Sequence, residues 1–547
     1  MRPRLLSLTA VALASASLLP QTTTQDPSRS VADALATPGL SFMLADVRPS
    51  PWMNYVYMHG GTLHGDRYTL RQATMVDLIA SAYSLDPKTI QGGPSWLEFD
   101  RFDIVAQALP GTPAATLKLM LRSLLAERFG LVAHKDTAPL PAWILTAVKP
   151  KLADSSGGTT ACGPKPPTVM TALAVACHNM SMDQFALVLQ GFGGGYLDNK
   201  PVVDATGLSD KYDFEFQWTP SGALARAGSD GITIFDATEK QLGLKLDLKT
   251  AQRPALIVDR VNRSPTPNAP GIERALPPEP AAQFEVAVIK PSRPREPQGG
   301  MSDRDRFDLQ GSLKYLIQSA WNLDLNDDED VVGLPKWGDS DSYDVQAKAA
   351  AEDLVQTTNG RQVEEEEINQ MLQTLLIERF GIEAHMEERP VDAYNFEAVS
   401  PKLQPANPAE RTRCEEGPAP GEKDPRTTRP ILNRVFHCQN ITIAEFGRVL
   451  PAFDYGSLYS PVLDETGLQG RYDFTLSFSS ADRLESEPGD IHAAAGSQNV
   501  SPAPGDPNGA LSLNDALRRQ LGLRLEKVRR PVPVLVIDRI NRQPSAN

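Results

Sequence analysis

Long apolar runs are what this sequence most lacks. Beyond its first residues no stretch approaches ~18 apolar residues, so no membrane-spanning helix is expected in the mature chain. Positive charge is also scarce. Lys and Arg number 54 against 68 Asp and Glu, leaving a net charge of −14 and a pI near 5.1. An acidic chain with no basic stripe argues against nucleic acid and anionic membranes as partners. Cysteine is limited to 4 residues, and no two are spaced C-x-x-C, which argues against a four-Cys zinc site. Signatures of chemistry are missing too. There is no H-E-x-x-H, no G-x-S-x-G, no Walker loop and no dinucleotide fingerprint, so no cofactor is expected. What remains is ordinary for a globular protein, with 41% hydrophobic and 22% charged residues. Proline is plentiful at 46 and concentrates in connecting segments.

The start of the chain carries Arg2 and Arg4, then LLSLTAVALASASLLP. A positive start, a short apolar run and small residues describe a secretory signal over 1–20. Export is therefore expected, to the periplasm or the medium. Residues 21–38 form a polar leader, expected to be disordered.

One stretch occurs twice. Residues 201–216 read PVVDATGLSDKYDFEF, and 461–476 read PVLDETGLQGRYDFTL. So dense a match means duplication, and repeats must be found before a fold is assigned. The expected organisation is a repeat domain over 39–263, a Pro-rich linker over 264–280 and a second repeat domain over 281–543. The linker reads as a semi-rigid spacer that a protease reaches first. The second copy holds an insertion, and 480–510 within it read as a disordered loop. The cysteines fall two per copy. That placement, after an export signal, implies disulfides Cys162–Cys177 and Cys414–Cys438. Each would contribute about 3 kcal/mol in the chain-entropy picture.

Local patterns place the elements. TMVDLIASAYSL (74–85) has helical spacing, with Thr74 as cap and Asp77 three residues on. TPAATLKLMLRSLLAERFG (112–130) opens with Thr-Pro and ends at a glycine. Its twin, 363–381, begins with the acidic run Glu364–Glu367, read as a solvated first turn. LVAHKD and PAWILTAV read as two strands, with Pro141 opening the second; QLGLKLDLK and PALIVDRVNR read likewise around Pro254. Trp96 and Trp337 are core candidates. Ser181 with Gln184, and Thr442 with Glu445, form capping boxes, which account for the adjacent sequons at Asn179 and Asn440 without glycans.

A second repeat lies inside each copy. Gly130 to Pro141 has the spacing of Gly243 to Pro254 and of Gly522 to Pro533. Each copy therefore reads as two related lobes, strand–helix–strand–helix–strand–strand, with helices on one face of a small sheet. The fold class expected is α+β, two tandem domains of two lobes each.

Together FEVAVIKPS, L-x-x-LIxxAYxL, GGPSW…RFDIVAQA, LLAERFGLVAH, PVVDATGL…YDF, QLGLKL and LIVDRV resemble the domain of unknown function 3738, over nearly the whole mature chain. That resemblance implies an uncharacterised secreted family of soil bacteria, with no activity and no catalytic residues to carry over. Related domains stand outside membrane proteins that carry a zinc-peptidase sensor-transducer domain, which implies sensing or binding. The lobes also resemble the short N-terminal domain of secretins and TonB-dependent receptors, a likeness of fold only.

Candidate chemical groups read as structural. His59 and His64 flank a Gly-rich turn and could bind metal, but the second copy has no counterpart histidines. His134 and His385 are equivalent and read as local hydrogen-bonding groups on a strand. Asp204, Asp213, Asp464 and Asp473 read as turn and strand-entry residues in preference to an acid–base pair. No catalytic, cofactor or metal residue is assigned. The chain reads as an exported, non-enzymatic binding or sensing module of the bacterial envelope, for an unknown protein, peptide or small molecule. The alternatives are an envelope assembly protein and a hydrolase with an unrecognised site.

Overall fold

The structure is a computed structural model. It describes residues 40–51, 57–276, 281–293, 297–301, 303–323, 329–357, 360–408, 410–429, 431–453, 458, 462–480, 484 and 509–546. The signal segment, the leader and nearly all of the 480–510 loop lie outside the described residues.

Alternation and capping build the first lobe. Strands β1 (Leu44–Pro49), β2 (His59–His64), β3 (Arg67–Thr74) and β5 (Arg101–Gln107) pair in the order β1–β5–β3–β2. In β5 every second residue, Phe102, Ile104 and Ala106, is buried, as a one-sided sheet requires. Helix α1 (Met75–Tyr83) starts where Thr74 Oγ1 accepts the Asp77 amide at 3.1 Å and Asp77 accepts the Thr74 amide at 2.9 Å. Helix α2 (Ala114–Phe129) buries Leu117, Leu121, Leu124, Leu125 and Phe129 on one stripe. Thr112 does not cap it; its hydroxyl donates to the Leu109 carbonyl at 2.6 Å. HGGTLH is a bulged edge strand and not a turn, with His59 and His64 at its two ends. Trp96 and Trp337 are half-buried at the margin of their cores.

The second lobe repeats this order. Strands β7 (Ala153–Asp154), β8 (Ala161–Lys165), β9 (Leu173–Met180) and β11 (Tyr212–Trp218) pair as β7–β11–β9–β8, with helix α3 (Met182–Phe192) after β9. The second domain has the same two sheets. One is ordered Val286–Ser292, Ser342–Lys348, Arg306–Ser312, Gln298–Met301. The other is ordered Gln404–Pro405, Tyr472–Phe478, Arg434–Ile441, Arg413–Glu416. The α+β class and the pair of lobes per copy hold.

The final strands correct the expectation. Val132–Ala147 (β6) is one continuous strand, and so is Leu244–Arg260 (β12). They pair antiparallel with each other, from Leu244 opposite Ala147 to Arg260 opposite Val132. Short strands β4 (Ile90–Gly92) and β10 (Val202–Asp204) add in parallel at Leu256–Val258 and Trp143–Leu145. Each lobe's last strand thus crosses into the other lobe. Leu256 joins the first core, while Trp143 and Leu145 join the second. The second domain builds the same ribbon from Glu383–Ala398 and Leu523–Arg539.

The ribbon prolines explain why the strands were misdivided. Trp143, opposite Leu248, donates its amide outward to Pro201. Stepping by two along the register reaches Pro141, Pro139 and Pro254. In the second ribbon Asp392 and Leu535 donate outward, and the same steps reach Pro390, Pro531 and Pro533. Each of these prolines sits where an N–H would point away from the partner strand. No ladder bond is lost, so the strand runs on.

Of the stretch read as a semi-rigid linker, residues 264–276 are described, and they are tied to the first domain. Thr266 donates its amide to the Arg128 carbonyl at 2.8 Å. Asn268 accepts the Val47 amide at 3.0 Å and so covers the outer edge of β1. Ile272 and Leu276 are buried. The chain end does the same for the second domain, where Ser545 donates to the Arg379 carbonyl at 2.7 Å.

Candidate functional site

The twin stretch is a turn built by its own side chains. Asp204 Oδ1 accepts the Thr206 amide at 2.8 Å, and Thr206 Oγ1 accepts the Leu208 amide at 3.2 Å. Asp464 and Thr466 repeat this at 2.9 and 3.1 Å. Asp213 Oδ1 accepts the amide of Asn179, which is left-handed at φ 49°. Asp473 treats Asn440 the same way, at 2.7 Å and φ 48°. The Asn179 amide, with the amide and hydroxyl of Ser156, holds Asp213 below the usual carboxylate range. The capping-box side chains also reach back as read, Gln184 accepting the Ser181 amide and Glu445 the Thr442 amide. Asn440 is buried, with its amide group donating to the Glu410 carbonyl. Asp204→Asn and Asp464→Asn, which keep the acceptor, should lower stability only slightly, by about 1 kcal/mol or less. Thermal unfolding beside a broad hydrolase screen checks this. Parent turnover removed by both changes with melting intact would make these carboxylates catalytic.

The paired histidines are oriented by carboxylates. His134 Nδ1 lies 2.9 Å from Asp259 Oδ2, and His385 Nδ1 lies 2.8 Å from Asp538 Oδ2, at equivalent ribbon positions. Both pairs are exposed. Among the described residues no group of three or more His, Cys, Asp or Glu is placed to hold a metal ion. The four cysteines form Cys162–Cys177 and Cys414–Cys438, each bond joining directly opposed residues of neighbouring strands.

A dense polar constellation lies between the two domains, and the sequence reading missed it. Arg411 is almost fully buried, 4% exposed, and its Nη2 sits 2.6 Å from Glu98 Oε1. Its Nη1 also donates to the Ile90 carbonyl. Arg413 donates to the Lys88 carbonyl at 3.3 Å, and Arg448 to the Phe99 carbonyl at 2.9 Å. Phe99 itself packs into the core of the second domain's second lobe. Farther along, Arg426 grips both oxygens of Asp198 at 2.9 and 2.8 Å. Lys200 donates to the Glu416 carbonyl at 2.6 Å, and the Gly421 amide donates to the Leu248 carbonyl at 2.8 Å. Burial pushes Glu98 up and Arg411 down, and their mutual attraction opposes both shifts. Burial likewise lowers the Lys200 ammonium against the pull of Asp198.

A signal for this seam was present in the departures between copies. Positions equivalent to Arg411, Arg413 and Arg448 hold Thr159, Ala161 and Leu187 in the first copy. The position equivalent to Phe99 holds Ser340. Each copy carries one half of the contact, so the seam fits only in this order.

No helix among the described residues is long and apolar enough to cross a membrane. No curated protein and no solved structure matches the chain. A family model does match, that of the Protein of unknown function (DUF3738), over residues 76–261 and again over 314–540. The two matches fall on the two duplicated domains and together span most of the sequence, so the chain belongs to this family and carries its domain twice.

Proposed function

We propose that the protein is an exported, non-enzymatic binding or sensing module of the bacterial cell envelope, which takes a partner segment against an open ribbon edge. The observation that carries this is the loop already seated on the first ribbon, where the Gly421 amide meets the outward Leu248 carbonyl. An unpaired strand edge accepts main-chain bonds from another segment, and flanking side chains select it. The equivalent residue of the second ribbon is Lys527, opposite Tyr394 and at an outward position. The prolines at 531 and 533 keep that edge short, which favours a brief contact over addition of a long strand. Two disulfides suit an oxidising compartment outside the cytoplasm.

The test is retention of envelope proteins by the mature chain from native extract, read by mass spectrometry. Lys527→Pro removes the outward amide without touching the ladder, and should reduce retention by up to about tenfold. Lys527→Ala controls for loss of the ion pair with Asp392. Retention equal in parent and Lys527→Pro would rule out a partner that accepts from this amide. Turnover of a substrate by the parent would rule out the non-enzymatic reading.

A further inference from the structure

The second disulfide loop is longer than the first by 24 − 15 = 9 residues. The strands flanking it match those of the first copy, so the excess falls in 418–433, against 166–172. This extra chain contacts the other domain. Gly421 caps the ribbon edge at Leu248, and Arg426 forms its paired bonds to Asp198. Asp424 fixes the guanidinium from the far side, at 2.7 Å. Asp198 and Lys200 are each only 3% exposed. A buried carboxylate and a buried ammonium are costly unless partners meet them. The corresponding stretch of the second domain, between Leu458 (the counterpart of Leu197) and Pro461, carries no charge. The charges therefore serve the loop and not the fold.

We propose that Asp198, Lys200 and the outward edge at Leu248 form a binding site for an arginine-bearing turn, which the chain's own loop fills as a tethered competitor. The ligand class is a peptide with one amide on the ribbon edge and an arginine five residues later, the spacing of Gly421 and Arg426. A planar guanidinium matches a carboxylate through two parallel bonds, which a lysine cannot do. The site deepens the binding reading above and depends on it only for an outside partner to exist.

The experiment opens the site in the full chain by replacing 418–433 with 166–172. The probe is a labelled synthetic peptide of residues 415–430, followed by fluorescence anisotropy. The opened chain should bind it at least about tenfold more tightly than the intact chain, whose site is filled. Asp198→Asn in the opened chain, or an Arg426→Ala peptide, should weaken binding about ten- to a hundredfold. Should the graft not fold, Arg426→Glu in the intact chain sets a carboxylate against Asp198 and expels the loop instead. Absence of binding by a folded, opened chain with both disulfides intact overturns the site. That result leaves the envelope-retention experiment to judge the wider binding reading separately.

Discussion

Arg411→Ala separates the two domains. The guanidinium is buried, and it supplies Glu98 and the Ile90 carbonyl together. Removing one partner of a buried pair leaves the other desolvated and uncompensated, at a cost of about 3–5 kcal/mol. The coupling between domains should fall by that amount. Unfolding that is one cooperative step in the parent should split into two, since each domain keeps its own cores. Hydrogen exchange should rise along the seam, over 86–100, 198–200 and around Leu248 in the first domain and over 411–448 in the second, and not in the cores. The double change Glu98→Met with Arg411→Met should recover part of the loss, because it leaves no buried charge without its partner. A single unchanged transition in Arg411→Ala would show that the seam contributes little. Thr159→Arg, at the equivalent place in the first copy, faces no carboxylate partner from this seam and serves as the control.

Gly243→Ala should be among the most damaging single changes, with Gly522→Ala its equal. A Cβ at either position would stand 1.7 Å from a backbone carbonyl oxygen, of Lys149 or Ser400. Neither oxygen can retreat. Gly243 accepts the amides of Val148 and Lys149, and Gly522 those of Val399 and Ser400, so the two segments are tied together at that point. The backbone is also left-handed there, at φ 69° and 70°. Such a conformation costs an L-residue about 1–3 kcal/mol, and forced overpacking adds about 1–3 kcal/mol. The sum, about 2–6 kcal/mol, is a large part of a domain's whole stability. Gly207 makes the contrast. Its φ is 69°, but nothing lies within 4 Å of the Cβ it would gain. Gly207→Ala should therefore cost only about 1 kcal/mol, and Gly207→Val about 1–3 kcal/mol. Thermal unfolding of the four variants decides it. Equal losses at Gly207 and Gly243 would mean that conformation alone, and not the close approach, sets the cost.

Local rules were legible wherever one segment carries its own partners. Thr74 with Asp77, Thr442 with Glu445, and Asp204 with Thr206 each close within three residues, so spacing alone identifies them. The duplication, the inner repeat and the cysteine pairing were legible for a related reason, since repetition exposes which positions correspond. Proline misled, because its penalty depends on which side of a strand its missing amide faces. Pro141 and Pro254 end nothing, since the register sets them outward, and that register is decided by a strand more than 100 residues away (Pro141 lies opposite Thr250). The same distance hid the exchange of final strands between lobes.

The seam was decided wholly by tertiary structure. Arg411, Arg426 and Lys200 look like solvated charges in one dimension, and most such residues are. Only docking brings Glu98 to Arg411 and Asp198 to Arg426, across separations in sequence of 321 and 228 residues from Ile90 and Asp198 to their arginines. A single chain determines which side chains seek water and which avoid it. Whether a charge is met by water or by a carboxylate follows from where the rest of the chain packs. That is why the turn, the caps and the disulfides could be read in advance, and the contact that joins the domains could not.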